Sequence, residues 1–385
     1  MAPRKTMDKV DFLIVGGGLF GVYTALYLAR KNFKVCLMEK EGNLFKKAST
    51  INQARLHEGY HYPRSIATAL MAQEHKLRFN KEHEFLINQQ YESYYAIDKF
   101  DSVTSPDQFE QFCHSIDIPA LKIKTHSLYD FEKIEALYHT KEFAFDPHRL
   151  ASYYTERIRT TDDLSLYLNS KIEEVEKLSS SWKVNFWSTD KNALQSIEAV
   201  TVINATYAGT NSINAAFGMK TLDLIYEISE LAFIESDALK NTSLTVIDGP
   251  FTSYMPYGLS GLTTLSSVLY THHKMSADSL PTFDCQAINL NCKPDYISDC
   301  NQCPAKPISH QRKMIQQLKS YLRKDIDIKY ADSMYTIKTK LSSSEIDDGR
   351  PTEIYKMNDS PGYYCLFSGK INSIYEIEKI LSADM

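Results

Sequence analysis

The sequence predicts an α/β fold that combines a discontinuous, parallel-sheet domain with an inserted, β-rich α+β domain. Residues 10–39 read as a strand, a glycine-rich turn, a helix and a second strand. Residues 200–215 and 363–381 repeat the order of strand, small-residue turn and helix, whereas residues 222–275 have the composition of several short strands. Because similar elements stand at the beginning, middle and end of the chain, one domain assembled from three separated segments explains them most simply.

The first glycine-rich turn has the pattern Gly-x-Gly-x-x-Gly at Gly16, Gly18 and Gly21, and the strand after the helix ends on Glu39. In this arrangement Gly16 allows a sharp turn, Gly18 lets backbone N–H groups approach a pyrophosphate, and Gly21 lets the helix lie close to the sheet. The helix N-terminus attracts the anion. The motif therefore predicts a dinucleotide site in which Glu39 accepts hydrogen bonds from a free ribose, and it leaves open whether the dinucleotide is FAD or NAD.

Composition restricts the classes of partner. The chain has 385 residues, of which 43% are hydrophobic and 24% charged, as in ordinary globular proteins. Its net charge of −5 argues against general binding to nucleic acid. It contains no run of 18 apolar residues, so no membrane span is predicted, and the apolar run near the N-terminus is too short for a signal peptide. A cytoplasmic location is the resulting expectation.

Four of the seven cysteines cluster at Cys285, Cys292, Cys300 and Cys303, with the spacing C-x6-C-x7-C-x2-C. Four thiols within such a short stretch are enough for a tetrahedral structural zinc site. The spacing is not a common zinc spacing, however, and free or partly oxidised thiols are the alternative. Prolines in the same stretch predict an irregular, Cys-rich loop over residues 283–308.

The pattern of motifs along the chain resembles the D-amino-acid-oxidase-like superfamily of FAD enzymes. This superfamily includes glycine and sarcosine oxidases, glycerol-3-phosphate dehydrogenases and L-2-hydroxyglutarate oxidases. Besides the first glycine turn, residues 48–62, 204–209 and 350–352 with 368–372 carry the resemblance. Residues 48–62 are most similar to the hydroxyglutarate and glycerol-phosphate branches. One departure is Glu58, which stands where a glycine is more usual.

The resemblance implies a Rossmann-like FAD-binding domain from residues 8–65, 144–215 and 346–385, and a substrate domain from residues 66–143 and 216–345. It also implies that FAD is bound non-covalently, since no cysteine lies in a flavin-attachment motif. The cofactor-binding residues implied in this way are Gly16, Gly18, Leu19, Phe20, Gly21, Glu39, Lys40, Ser49, Thr50, Asn52, Gln53, Ala54, Ala205, Thr206, Tyr207, Arg350, Gly369, Lys370, Ile371 and Asn372.

Three further side chains are predicted to act in catalysis. His57 is either a flavin-contacting group or a base for an alcohol, Arg55 is either a clamp for a substrate anion or a salt-bridge partner, and Tyr257 covers the flavin or packs in the core. The predicted reaction is hydride transfer from a C–N bond of a small polar substrate to flavin N5. Oxidation of a 2-hydroxy acid or alcohol is the first alternative, and oxygen or another carrier accepts the electrons. A non-catalytic dinucleotide-binding module that docks a partner through the Cys-rich loop is the second alternative.

Overall fold

The computed structural model describes residues 9–345 and 352–384. The helices are α1 (Leu19–Arg30), α2 (Ile66–Glu74), α3 (Lys76–His83), α4 (Pro106–Ser115), α5 (Pro147–Thr160), α6 (Thr210–Ala216), α7 (Gln311–Lys319) and α8 (Glu376–Asp384). The strands are β1 (Lys9–Val15), β2 (Val35–Met38), β3 (Arg55–Leu56), β4 (Ile87–Asn88), β5 (Glu92–Asp98), β6 (Leu121–Ile123), β7 (Ile134–Thr140), β8 (Phe143–Phe145), β9 (Leu164–Tyr167), β10 (Ser170–Lys177), β11 (Trp182–Ser188), β12 (Ala193–Asn204), β13 (Leu224–Glu235), β14 (Thr242–Ile247), β15 (Thr252–Pro256), β16 (Thr263–Ser267), β17 (His272–Ser276), β18 (Lys329–Leu341), β19 (Glu353–Asn358) and β20 (Gly362–Phe367).

The first sheet is built from three separated parts of the chain. Its parallel strands lie in the order β20, β12, β1, β2 and β9, so that the N-terminal unit is flanked by strands from the middle and the end of the sequence. β19 pairs antiparallel with β20 at one edge, and β10 and β11 form an antiparallel extension of β12. This topology confirms the predicted α/β fold. The exact domain boundaries remain a prediction.

The second sheet forms the opposite wall of the molecule and has nine strands. Its main path runs β17, β13, β16, β15, β14, β5, β7 and β6, and β18 pairs along the whole length of β13. β18 was not predicted from the sequence, because lysine, aspartate and serine residues interrupt its apolar pattern. A small third sheet, β3–β8–β4, joins the two large ones and carries Arg55.

Helix α1 shows why the glycine turn is held so firmly. Ten of its twelve residues are buried, since the helix packs against β2, α5 and α8 rather than lying on the surface. A helix that is enclosed on several sides presents its N-terminus in one fixed position. None of the helices within the described ranges is long and apolar enough to cross a membrane.

Candidate active site

A cavity of about 1070 Å³ lies between the carboxyl ends of the parallel strands and the second sheet. Ligands of open α/β sheets bind at this end of the strands. The structure brings most of the predicted site residues to its wall, namely Gly16, Gly18, Leu19, Phe20, Glu39, Lys40, Ser49, Asn52, Gln53, Arg55, His57, Ala205, Thr206, Tyr207, Gly369, Lys370 and Ile371.

The glycine turn has the geometry that its motif predicts. Gly16 has a φ of +111°, and a Cβ atom added there would lie 2.6 Å from the carbonyl oxygen of Ala205. A Cβ on Gly21 would lie 2.0 Å from the carbonyl oxygen of Gly16, so α1 can pack against the turn only with glycine at this position. Gly21 itself does not line the cavity. Its contribution is therefore to helix packing, as expected, rather than to ligand contact.

The start of α1 lies at the cavity wall. The N–H of Leu19 donates to Ser49 Oγ at 2.9 Å, and both residues line the cavity wall. The first turn of a helix leaves N–H groups without partners inside the helix, and its dipole favours negative charge. This part of the cavity is suited to a pyrophosphate.

Glu39 lies beside this turn and is held by the backbone. One carboxylate oxygen accepts from the N–H of Gly17 at 2.6 Å, and the other accepts from the N–H of Glu41 at 2.8 Å. Burial raises the pKa of Glu39, while the two backbone hydrogen bonds lower it. Each oxygen retains a second lone pair, which leaves capacity to accept from ribose hydroxyls.

Besides Gly21, three of the predicted cofactor-binding residues do not line the cavity, because neighbouring backbone hydrogen-bonds their side chains or encloses them. Thr50 Oγ1 donates to the carbonyl of Phe45 at 2.8 Å. Ala54 is fully buried with a φ of +59°, and the Asn372 side-chain amide donates to the carbonyl of Ala72 on α2. These residues stabilise the loops whose other residues line the cavity. Arg350 lies outside the described residues.

Tyr257, predicted as a catalytic residue, is also placed away from the cavity wall. Its ring is fully buried and its hydroxyl donates to the carbonyl of Thr50. Phe233 packs edge-on against the ring, with the two centroids 5.2 Å apart. The structure therefore gives Tyr257 the packing role that was the alternative to a place over the flavin.

Arg55 lies in the cavity wall but is committed to a buried network. Its guanidinium forms an ion pair with Glu142 and donates to Tyr95 at 2.9 Å and to Ser253 at 2.6 Å. Burial alone would lower the pKa of Arg55, but the Glu142 carboxylate and other neighbours raise it above its usual value. Of the two roles predicted for Arg55, the structure shows the salt-bridge partner.

The same network explains the departure at Glu58. The Glu58 N–H donates to the second oxygen of Glu142 at 3.4 Å, and the Glu58 carboxylate forms an ion pair with Lys76 on α3. Burial raises the pKa of Glu58 to about 7, against the effect of Lys76. Glu142 was not identified from the sequence, because a single glutamate before a short apolar strand carries no local signal.

His57 and Lys370 lie in the wall beyond the glycine turn. The His57 ring centroid is 5.6 Å from that of Tyr62, and Lys370 Nζ is 4.3 Å from the Tyr62 ring centroid. Lys370 is buried, whereas an exposed position was equally compatible with the sequence. Burial lowers the pKa of Lys370 to about 7, and the charge of Arg55 adds to this effect.

The four clustered cysteines are not brought to metal-binding distance. In the described part of the chain, the one group of three or more ligand atoms within 4.8 Å of one another is Glu74, His75 and Glu376. All four thiols are free, and three of them, Cys285, Cys292 and Cys300, pack against an apolar cluster. Burial raises the pKa of Cys300 to about 12. The structure thus differs from the predicted zinc site, since the thiols fill space as small apolar groups.

Comparison with known proteins identifies the family. Residues 11–231 match the model of the DAO family, described as FAD dependent oxidoreductase. The chain belongs to this family. It is therefore an FAD-dependent oxidoreductase, and the alternative of a non-catalytic module is set aside. The glycine turn, the helix N-terminus at the cavity wall and the size of the cavity all fit FAD.

Similar proteins extend this result. The chain is 24% identical over 371 residues to "FAD-dependent monooxygenase FPY4" of Fusarium mangiferae, covering 96% of this chain and 89% of the relative. It is 40% identical over 73 residues to the mitochondrial L-2-hydroxyglutarate dehydrogenase of Caenorhabditis elegans, covering 18% and 17%. The structure of glycine oxidase from Geobacillus kaustophilus shares the fold, with a TM-score of 0.67, 15% identity, and coverage of 98% and 94%.

Proposed function

We propose that the protein removes a hydride from a carbon that carries a hydroxyl group in a small polar substrate, with FAD as the acceptor. When bound, FAD supplies a flavin ring that takes up two electrons. The pyrophosphate belongs at the start of α1 and the adenosine ribose at Glu39. The flavin end of the cavity then lies in the other direction, toward Gln53, His57 and Lys370.

The main observation in support of this proposal is that His57 lines the flavin end of the cavity, whereas Arg55 forms an ion pair with Glu142. A histidine is suited to accept the proton of an alcohol as its C–H bond is oxidised. The rest of this wall is rich in hydroxyl groups that can hydrogen-bond a hydroxylated substrate: Thr245, Thr252, Ser253, Ser266, Ser267 and Thr271. The local identity to a 2-hydroxy-acid dehydrogenase supports the same bond type.

Oxidation of a C–N bond, the reaction predicted from the sequence, is the second candidate. The shared fold with glycine oxidase favours it. A neutral amine loses a hydride without a strong base, so this reaction makes a smaller demand on His57. A cytoplasmic location and a small, diffusible substrate are part of both proposals.

The test is the substitution His57→Ala. With an alcohol substrate we expect the rate of flavin reduction to fall by about 10²–10⁴-fold, as for a lost general base. The measurement is anaerobic stopped-flow bleaching of the bound flavin, after a panel of polyols, 2-hydroxy acids and amines has identified the substrate. His114→Ala, at an exposed position on α4, is the control and should leave the rate unchanged.

Three results would contradict the proposal. A His57→Ala rate within a few-fold of the unmodified protein removes the base role. Bleaching by amines alone favours the second candidate. Flavin reduction that requires NAD(P)H, followed by incorporation of labelled oxygen into the product, would assign oxygen insertion, as in the name of the Fusarium relative.

Lys370 is expected to take up a proton when the flavin is reduced, because the negative charge that reduction adds beside it favours the ammonium form. Its lowered pKa has a consequence for the apoprotein that can be measured. Between about pH 7 and 9 the unfolded chain binds a proton at Lys370 that the folded chain has lost. The free energy of unfolding should therefore rise with pH across this window.

In Lys370→Met this rise should become clearly shallower, because one of the groups that cause it is gone, whereas Lys40, whose pKa burial also lowers to about 7, still contributes. Urea denaturation of the apoprotein at pH 7, 8 and 9 makes the comparison. Lys122→Met, which removes an exposed lysine, should keep the original slope. Equal slopes in the unmodified protein and in Lys370→Met would show that Lys370 titrates as an ordinary lysine.

A further inference from the structure

The Cys-rich loop contributes to the cavity wall through one short segment. Residues 295–300, here named the cover segment, all line the cavity, together with Glu39, Lys40 and the residues at the start of β10. No feature of the nucleotide-binding motif accounts for this segment, because it lies more than 250 residues after the glycine turn. Its position beside Glu39 places it at the end of the cavity opposite to His57.

The cover segment is fastened to the nucleotide-binding sheet by two lysines. Lys40 and Lys47 both donate from Nζ to the carbonyl of Ile297, Lys47 at 3.0 Å. Lys47 also forms an ion pair with Glu41 at 2.9 Å. Lys40 is half-buried, and burial lowers its pKa to about 7. The segment is thus bound directly to the residues that follow β2.

The other side of the cover segment is fixed to the second sheet. The Ile297 side chain is buried in an apolar cluster with Phe283 and Ile337. Asn301 donates to the carbonyl of Tyr335 at 3.0 Å and accepts from its N–H at 2.7 Å. Because the segment has anchors on both sheets, it spans the cavity at this end as a rigid part of the wall.

Tyr296 is the aromatic residue of the cover segment. Its ring is half-buried at the cavity wall, with Lys40 Nζ 4.5 Å and Lys171 Nζ 5.3 Å from the ring centroid. An aromatic face suits the stacking of a planar base, and the two lysine side chains beside it suit a base that is attached to phosphates. With the pyrophosphate at α1 and the ribose at Glu39, the adenine is the next group outward along the dinucleotide.

We propose that the cover segment completes the adenosine subsite of the FAD site, with the ring of Tyr296 packed against the adenine. The Cys-rich loop then serves to retain the cofactor, and its thiols are the apolar filling that holds the segment in place. This inference rests on FAD binding, which the family establishes, and is independent of whether the substrate is an alcohol or an amine.

The first test measures dissociation constants of the apoprotein for FAD and for ADP, which carries the adenosine half alone. Tyr296→Ala should weaken FAD binding by roughly five- to fiftyfold, as expected for the loss of one base–aromatic contact. The same substitution should weaken ADP binding by a similar factor. Tyr296→Phe keeps the ring and should bind both ligands like the unmodified protein. FAD affinity within twofold in Tyr296→Ala, or a loss for FAD without a loss for ADP, would overturn the proposal.

A second test uses the unmodified protein, so that it does not depend on the folding of a variant. Cys300 lines the cavity, whereas Cys303 of the same loop does not. Saturating ADP should therefore slow alkylation of Cys300 by iodoacetamide several-fold and leave Cys303 unchanged, as read by peptide mass spectrometry. Equal rates for Cys300 with and without ADP would contradict the assignment. Failure of substrate to bleach the flavin would bear on the reaction alone and not on this subsite.

Discussion

Replacement of Arg55 by methionine is expected to destabilise the protein by about 3–5 kcal/mol, which is a large part of the stability of a typical domain. The reason is that Glu142, whose side chain is only 1% exposed, would be left as an uncompensated buried charge. Tyr95 and Ser253 would lose their hydrogen bonds to the guanidinium as well. Urea denaturation of the apoprotein at pH 7 measures the change.

The double variant Arg55→Met with Glu142→Leu provides the internal control. With both charges gone, apolar groups of similar volume occupy the site, and a substantial part of the lost stability should return. Lys122→Met, which breaks an exposed ion pair with Glu110, should change stability by no more than the experimental error. A cost below about 1 kcal/mol for Arg55→Met would mean that water or another group compensates Glu142.

Replacement of Gly16 by alanine is expected to abolish FAD retention during purification. The added Cβ would lie 2.6 Å from the Ala205 carbonyl oxygen, so β12 or the turn must move. The left-handed backbone at Gly16 adds about 1–2 kcal/mol of strain for a residue with a Cβ. Both effects displace the N–H groups that start α1. The flavin content of the purified protein and its FAD dissociation constant are the measurements.

Gly261→Ala is the matched control for this prediction. Gly261 also has a left-handed backbone, with a φ of +81°, but a Cβ added there would contact nothing within 4 Å. The substitution Gly261→Ala should therefore introduce backbone strain without a steric clash, and the variant should keep its flavin. If Gly16→Ala and Gly261→Ala bind FAD equally well, the close approach of Gly16 to Ala205 is not needed for the site.

Several features of this protein were predictable because they depend on neighbours in the sequence. The glycine turn is set largely by local sterics, since Gly16 has a φ of +111° and a Cβ on Gly21 would lie 2.0 Å from the Gly16 carbonyl oxygen of the same turn. Helix α5 begins where Asp146 and Pro147 predict it, and the Asp146 side chain accepts from two backbone N–H groups of its first turn. Glu39 follows directly from the end of β2.

Other features depended on the tertiary structure, because the partners are far apart in the sequence. Arg55 forms an ion pair with Glu142, which lies 87 residues away in the sequence. This contact argues against a role for Arg55 as a clamp for a substrate anion. Lys370 is buried and its Nζ lies 4.3 Å from the ring centroid of Tyr62, which is more than 300 residues earlier in the sequence. The thiols of the Cys-rich loop have the composition of a metal site, yet the second sheet supplies an apolar surface for them instead.

The sequence by itself predicted a dinucleotide site, since the motif at Gly16 and its flanking strands are local, and its resemblance to the D-amino-acid-oxidase-like superfamily implied that the dinucleotide is FAD. Only the tertiary structure decided which side chains face the cavity. It placed Tyr257 away from the cavity wall, engaged Arg55 in an ion pair, and brought Tyr296 to the cavity wall beside Lys40. The physical reason is that burial and charge pairing are properties of the packed chain, in which residues distant in sequence share one low-dielectric environment.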